Sequence, residues 1–171
     1  NTNYTMPVAE TASTFNENVI MSAAIDQASG EEKLALIESQ LQDFTQTICD
    51  IYSRFIFENA VFSKTKEEFL FPDQLKEIMN DAQIKAYGEG LDPDYRHPYM
   101  WACKGHYYSE HLSYYNFPYA FGALFSKGLY AMYRKEGESF VPKYQALLNA
   151  TTTRNVEDVA KMVGADITKP D

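Results

Sequence analysis

Apolar positions along this chain recur at intervals of three and four, the period of helices laid against a core. Val8, Ala12, Phe15 and Val19 keep that spacing and predict a first helical segment over residues 8–28. After Ser29-Gly30, the positions Leu34, Ile37, Leu41, Phe44, Ile48, Ile51 and Phe55 sustain it across a segment from about 31 to 63. At about 1.5 Å per residue such a helix runs roughly 50 Å, more than a small domain usually needs. Glu31 and Glu32 at its start suit the positive end of the helix dipole. Pro72 reads as the first-turn proline of a further helix, FPDQLKEIMNDAQIKAYG, which Gly88 and Gly90 close. LDPDYRHPYMW, with two prolines, predicts an extended loop. The stretch HYYSEHLSYYNFPYAFG (residues 106–122) is expected to run on as a helix through GALFSKGLYAMYRKEG. FVPKYQALLNA and VEDVAKMVGA predict two short helices, the second capped by Asn155. No segment alternates as a strand does, and there is no internal repeat or low-complexity linker. The expectation is an all-α, multi-helix fold with one long helix and no sheet, residues 1–171 forming a single compact unit.

Composition narrows the partners. The 171 residues are 45% hydrophobic and 15% aromatic, enough to bury a sizeable core. Fifteen basic against twenty-four acidic side chains give a net charge of −9. That balance argues against nucleic acid and against an anionic membrane surface, both of which would repel the chain at long range. No stretch approaches ~20 uninterrupted apolar residues, so no transmembrane helix is expected. The opening NTNYTMPVAE has neither the basic start and apolar run of a signal peptide nor an initiator Met, which suggests a processed chain or a fragment. Cys49 and Cys103 form no CxxC pair. A reduced, cytoplasmic setting is the expectation, with a single disulfide as the alternative.

Candidate chemistry lies in two places. Glu10 and Glu17 stand seven apart and share a helical face opposite the apolar stripe. They fit a solvated face. Their helix also carries Ala9, Ala12, Met21, Ala23 and Ala24, and a helix apolar nearly all round tends to be buried. A buried Glu needs a partner, and a metal ion is an adequate one. The second place is residues 106–122, with five tyrosines and two histidines in seventeen positions. Tyr115 and Tyr119, four apart, would project from one helical face. Such a stripe can be core, or it can join His106 in donating hydrogen bonds to a carbonyl gaining negative charge. His97, before Pro98, suits a surface or turn-stabilising role, and His111 carries no spacing signal. HExxH, GxSxG, a Gly-rich phosphate loop and an EF-hand pattern are all absent from the sequence. The residues three before the histidines are Asp94, Cys103 and Tyr108, so the Glu-x-x-His motif of a di-iron bundle is missing too.

PVAETASTFNE resembles the segment that follows the HExxH helix in the oligoendopeptidase F branch of the thimet-oligopeptidase-like zinc peptidases. HPYMWACKGHYYS…YYNFPYAFGALFSKGLYAMY is similar to the substrate-site segment of the same branch. The two motifs stand in the family's order, and the resemblance covers most of the chain, weakest after about residue 140. It implies a zinc metalloendopeptidase acting on oligopeptides, in which HExxH gives two His ligands and a Glu base. The third zinc ligand then falls on Glu10, and Glu17 on a nearby acidic position with a structural or ligand-supporting role. The family's substrate-binding and intermediate-stabilising residues fall on His106, Tyr115 and Tyr119, with Tyr114 as a neighbouring substrate contact. His111 and Phe117 are left as scaffold. In the family the HExxH helix lies upstream of where this sequence begins. The resemblance therefore implies the C-terminal portion of a catalytic domain, inactive and metal-free alone because catalytic zinc needs about three protein ligands. Such a piece is also expected to dimerise through exposed apolar surface. The alternative is a non-catalytic helical peptide-binding module or pseudo-peptidase, its tyrosines serving as contact surface.

Overall fold

All regular structure among the described residues is helical, and no strand occurs among them. The computed structural model describes residues 4–169. Its α-helices are α1 (Met6–Ala9), α2 (Thr11–Gln27), α3 (Gly30–Thr45), α4 (Ile51–Lys64), α5 (Pro72–Tyr87), α6 (Phe117–Glu136), α7 (Val141–Ala150) and α8 (Val156–Lys161). Where the sequence suggests one unit, backbone contacts divide the chain into two, Asn1–Leu41 with Pro118–Asp171, and Gln42–Phe117. Each has its own apolar core. No helix among the described residues is long and apolar enough to cross a membrane.

In the first unit, the segment expected to be one helix from residue 8 breaks at Glu10, whose φ of −91° and ψ of 0° leave the helical region. Beyond the break, α2 packs against α6 through a polar seam. The Thr14 hydroxyl donates to the Gly122 carbonyl at 3.3 Å, and the Asn18 amide donates to the Ser126 hydroxyl at 3.1 Å. Each pair is 108 positions apart, and the Asp26–Arg134 ion pair at 3.5 Å keeps the same offset. The two helices therefore run parallel and in step. Gly122 allows the close approach, since a Cβ there would stand 3.0 Å from Glu10 Cβ and 3.6 Å from its backbone carbon. The core beside this seam centres on Phe15. Its ring stacks on Tyr144 at 4.3 Å and meets Tyr130 and Tyr133 edge-on. Leu129, Phe140, Leu147 and Val159 close around it. Asn155 caps α8 as expected, its side-chain oxygen accepting the Asp158 N–H at 2.9 Å.

The second unit is built on the hairpin of α4 and α5. Phe57, Ile78, Met79 and Ala82 fill it together with Leu70, and Trp101 and Tyr107 pack on from the following loop. Helix α5 has its expected limits: Pro72 in the first turn, Gln74 accepting the Phe71 N–H at 2.9 Å, and Gly88 at φ 56° past the end. Gln83 holds the loop down by bonding the His97 N–H and carbonyl, both at 3.0 Å. His97 has the turn-stabilising role expected of it, its Nδ1 accepting the Tyr99 N–H at 3.2 Å. Cys49 and Cys103 are free thiols.

Two expectations about the helices need correction. The long helical run is present from Gly30 to Lys64, but a π-helical turn at Gln46–Asp50 interrupts it. The extra residue shifts the buried face, so α4 buries Ile51, Ser53, Phe57 and Glu58 while Phe55 is 48% exposed. Upstream, α3 buries nothing, and Leu34, Ile37 and Leu41 stand open to solvent. The second correction concerns residues 106–116, which are 3-10 and irregular turns; α6 begins only at Phe117. Pro118 explains that start, because proline is tolerated in the first turn of a helix and not in its interior. Tyr114, at φ 56°, also bars a continuous helix. Tyr115 and Tyr119 therefore do not share a helical face.

The tight contact at Gly122 makes a prediction. Gly122→Ala should lower stability by about 1–3 kcal/mol through overpacking against Glu10. Gly128→Ala, in the same helix with open space around it, should instead add about 0.5–1 kcal/mol. Urea midpoints of the two variants measure both, and equal shifts would contradict the packing account.

Candidate functional site

The residues singled out by sequence distribute over both units. Glu10 and Tyr119 lie in the first, and His106, Tyr114 and Tyr115 in the second. Glu10 sits half-buried at the break between α1 and α2. Its carbonyl accepts the Thr14 N–H at 3.0 Å and the Thr14 hydroxyl at 2.6 Å, which pins its main chain. The Ser13 hydroxyl donates to its carboxylate at 3.1 Å. Glu17 is exposed. The expectation of a helix buried nearly all round is corrected here: α2 buries only Thr11 and Phe15, and Ile20 is 69% exposed. Its polar face is used in the α6 seam, which apolar counting does not register. Among the described residues no three His, Cys, Asp or Glu side chains come together as a metal site. Glu10 is one donor where a catalytic zinc takes about three, so these residues alone do not fit the ion. Tyr119 stands half-buried in the first turn of α6.

The second unit holds a connected polar network. Asp50 ends the π turn and pairs with Arg54 one turn on, both side chains largely buried. The Arg54 Nη1 donates to the Asn116 Oδ1 at 2.8 Å, and the Asn116 Nδ2 lies 2.7 Å from His106 Nε2. The His106 ring packs against Tyr107 at 4.3 Å and lies 6.0 Å from the Tyr115 ring. Burial, then the charges of Arg54 and Lys104, lower the His106 pKa below its ordinary value, so the ring favours its neutral form. With Glu58, Tyr108, Ser109 and Glu110, His106 lines an open pocket of about 360 Å³. Tyr114 is held by its surroundings. Its hydroxyl donates to Asn59 at 3.1 Å and its ring meets Phe55 and Phe62. The His111 side chain is 83% exposed, its Nε2 3.2 Å from Glu110.

Sequence reasoning passed over Asp50, Arg54, Glu58 and Asn116. A signal for three of them exists: charges of alternating sign recur every fourth residue in DIYSRFIFEN, a stretch otherwise apolar. Glu58 is 5% exposed. It accepts the Tyr114 N–H at 2.7 Å and so supports the left-handed turn before α6. Desolvation raises its pKa, partly offset by that hydrogen bond.

The sequence matches Peptidase family M3 over residues 1–171, and the chain belongs to that family. It is 30% identical over 171 residues to the Oligopeptidase PepF of Bacillus subtilis (strain 168), covering 99% of this chain and 25% of the relative. The fold is similar to the crystal structure of oligoendopeptidase-F from Enterococcus faecium, with a TM-score of 0.81 at 23% identity, covering 97% of this chain and 32% of that one. This chain thus spans a quarter to a third of the length of these relatives.

The Glu58 environment predicts a pH dependence. A carboxyl whose folded pKa is raised keeps its proton in the native state after the unfolded chain has lost it, so stability falls as pH rises from 4.5 through the folded value. Glu58→Gln preserves the acceptor for Tyr114 and removes the titration. Its stability advantage over the parent should grow as pH rises above 4.5. Parallel stability–pH curves would contradict the assignment.

Proposed function

We propose that this chain is the C-terminal portion of the catalytic domain of a zinc oligopeptidase, cleaving oligopeptides once the remaining metal ligands and the general base are supplied from outside these 171 residues. The observation that carries this reading is the His106 site: a half-buried, predominantly neutral imidazole held by Asn116 beside Tyr115, at an open pocket, in a chain of Peptidase family M3. The name of the PepF relative, an oligopeptidase, points to oligopeptides as the substrate class.

In this reading Glu10 would give one carboxylate to a zinc ion, with Ser13 holding the carboxylate and Thr14 the main chain. The ion would supply Lewis-acid polarisation of the scissile carbonyl and an activated water. His106, Tyr115 and Tyr119 donate hydrogen bonds to the carbonyl oxygen as it gains charge, each well-aimed donor contributing about 3 kcal/mol to the transition state. Tyr114 steadies the loop that carries its neighbours and contacts bound peptide. The chain alone is inactive in this account. The open stripe of Leu34, Ile37 and Leu41 on α3 is the surface through which isolated chains would pair. The exposed rings of Tyr95 and Tyr108 suit a second reading, a peptide-binding module without catalysis.

Two variants of the full-length protein test the proposal. Glu10→Gln should weaken zinc binding by more than the ~10–100-fold of an outer-sphere change, measured by metal analysis after dialysis, and should abolish peptidase activity. Tyr115→Phe should lower kcat by about 100-fold with little change in KM. Full zinc content in the first variant removes Glu10 from the ligand set. Unchanged kcat in the second removes Tyr115 from catalysis. A full-length parent that binds peptides without cleaving them would favour the module.

A further inference from the structure

Hydrogen-bond polarity along the Asp50–Arg54–Asn116–His106 chain fixes which nitrogen of His106 carries its proton. A guanidinium has donors only, so the Asn116 atom 2.8 Å from Arg54 Nη1 must be the amide oxygen. The amide nitrogen then faces His106, and with two N–H groups and no lone pair to offer it can only donate. Nε2 of His106, at 2.7 Å, must therefore accept and be unprotonated. The neutral ring places its hydrogen on Nδ1. The arrangement cannot reverse locally, because turning the Asn116 amide over would set its nitrogen against the Arg54 N–H. Arg54 is itself fixed by Asp50 one turn earlier, and the three side chains are shielded: Asp50 is 8%, Arg54 12% and Asn116 5% exposed.

We propose that Asn116, oriented by the Asp50–Arg54 pair, is a positioning residue that locks His106 in the Nδ1–H tautomer, making the ring a neutral donor through Nδ1 to a peptide carbonyl oxygen. The role of that donor rests on the oligopeptidase reading above; the tautomer does not. The charged and titratable groups around the ring agree with a neutral state. Arg54 on α4 and Lys104 on the adjacent turn both disfavour a second proton, as does burial. Glu58 and Glu110, which line the same pocket, work the other way, and the raised pKa of Glu58 weakens its pull. Protonating Nε2 would also set an N–H against the Asn116 amide hydrogens, a loss that a solvated histidine does not suffer. The Tyr107 and Tyr115 rings stand beside it, with centroids 4.3 and 6.0 Å away.

The experiment is histidine-selective 15N NMR of the full-length protein, with the His106 resonances identified by their loss in His106→Gln. At neutral pH the parent should show an unprotonated Nε2 and a protonated Nδ1. Asn116→Asp replaces the donor by an acceptor that still satisfies Arg54, and should move the proton to Nε2 or leave the ring doubly protonated. Under the peptidase reading it should lower kcat by roughly 100-fold, the effect of losing a donor to the oxyanion, with KM changed less. Arg54→Lys keeps a donor to the Asn116 oxygen and should retain the parent tautomer, which supplies a second measurement if the aspartate variant does not fold. A protonated Nε2 in the parent, or an Asn116→Asp protein whose His106 spectrum is unchanged, overturns the positioning role. A tautomer that switches while kcat stays constant leaves the positioning role standing and removes His106 from the catalytic set.

Discussion

An arginine in the interior of a small helical unit cannot shed its proton, and that constraint orders much of the structure between Gln42 and Phe117. Leaving such a charge unpaired costs several kcal/mol. Arg54 is met by Asp50 one turn back and by the amide oxygen of Asn116. Each partner has a structural consequence. Asp50 closes the π turn, whose extra residue brings a polar face of α4 inward. Asn116 is drawn down at the end of an irregular loop, immediately before α6. The loop can arrive there only by turning sharply at Tyr114, and the buried Glu58 accepts the N–H exposed by that turn. One obligate charge thus accounts for the π turn, the polar face of α4 and the fixed end of the tyrosine-rich loop.

The first unit follows a different logic. Its seam between α2 and α6 contains no buried charge. Hydroxyls, an amide and a glycine recur at one constant offset, so two parallel helices stay in register over three turns. Close approach is set by the absence of a side chain at Gly122, beside Glu10, whose main chain is held by Thr14.

The sequence reveals its helices wherever their limits are local chemistry. Pro72 with Gln74, Gly88, and Asn155 each act within a few residues, and each element begins or ends where those residues say. Glu10, Tyr119, His106, Tyr114 and Tyr115 come from motif resemblance, and the fold assigns each a defined place without by itself establishing its chemistry. What the periodicity misleads on is non-local. Apolar counting carries the stripe of α3 straight on to Phe55, because it gives no weight to a face buried through an aspartate, an arginine and a glutamate. It also extends a helix back through residues 106–116, where the chain is instead held by Asn116 and Glu58, partners 10 and 56 positions away. The break at Glu10 has the same origin, since the contact with Gly122 lies over a hundred positions off.

Family membership and residue chemistry rest on separate supports. The match across residues 1–171 shows ancestry, and a TM-score of 0.81 at 23% identity shows that the fold survives extensive replacement of side chains. Neither establishes what a given imidazole does. The state of His106 follows instead from counting donors and acceptors along four side chains, starting at a group whose protonation is not in question. Such an argument is independent of ancestry and would hold equally in a peptidase or in a binding module. It constrains both: any ligand at this ring meets a neutral donor at Nδ1, while Nε2 is already occupied by Asn116. A carbonyl oxygen satisfies that condition. A metal ion seeking the Nε2 lone pair does not.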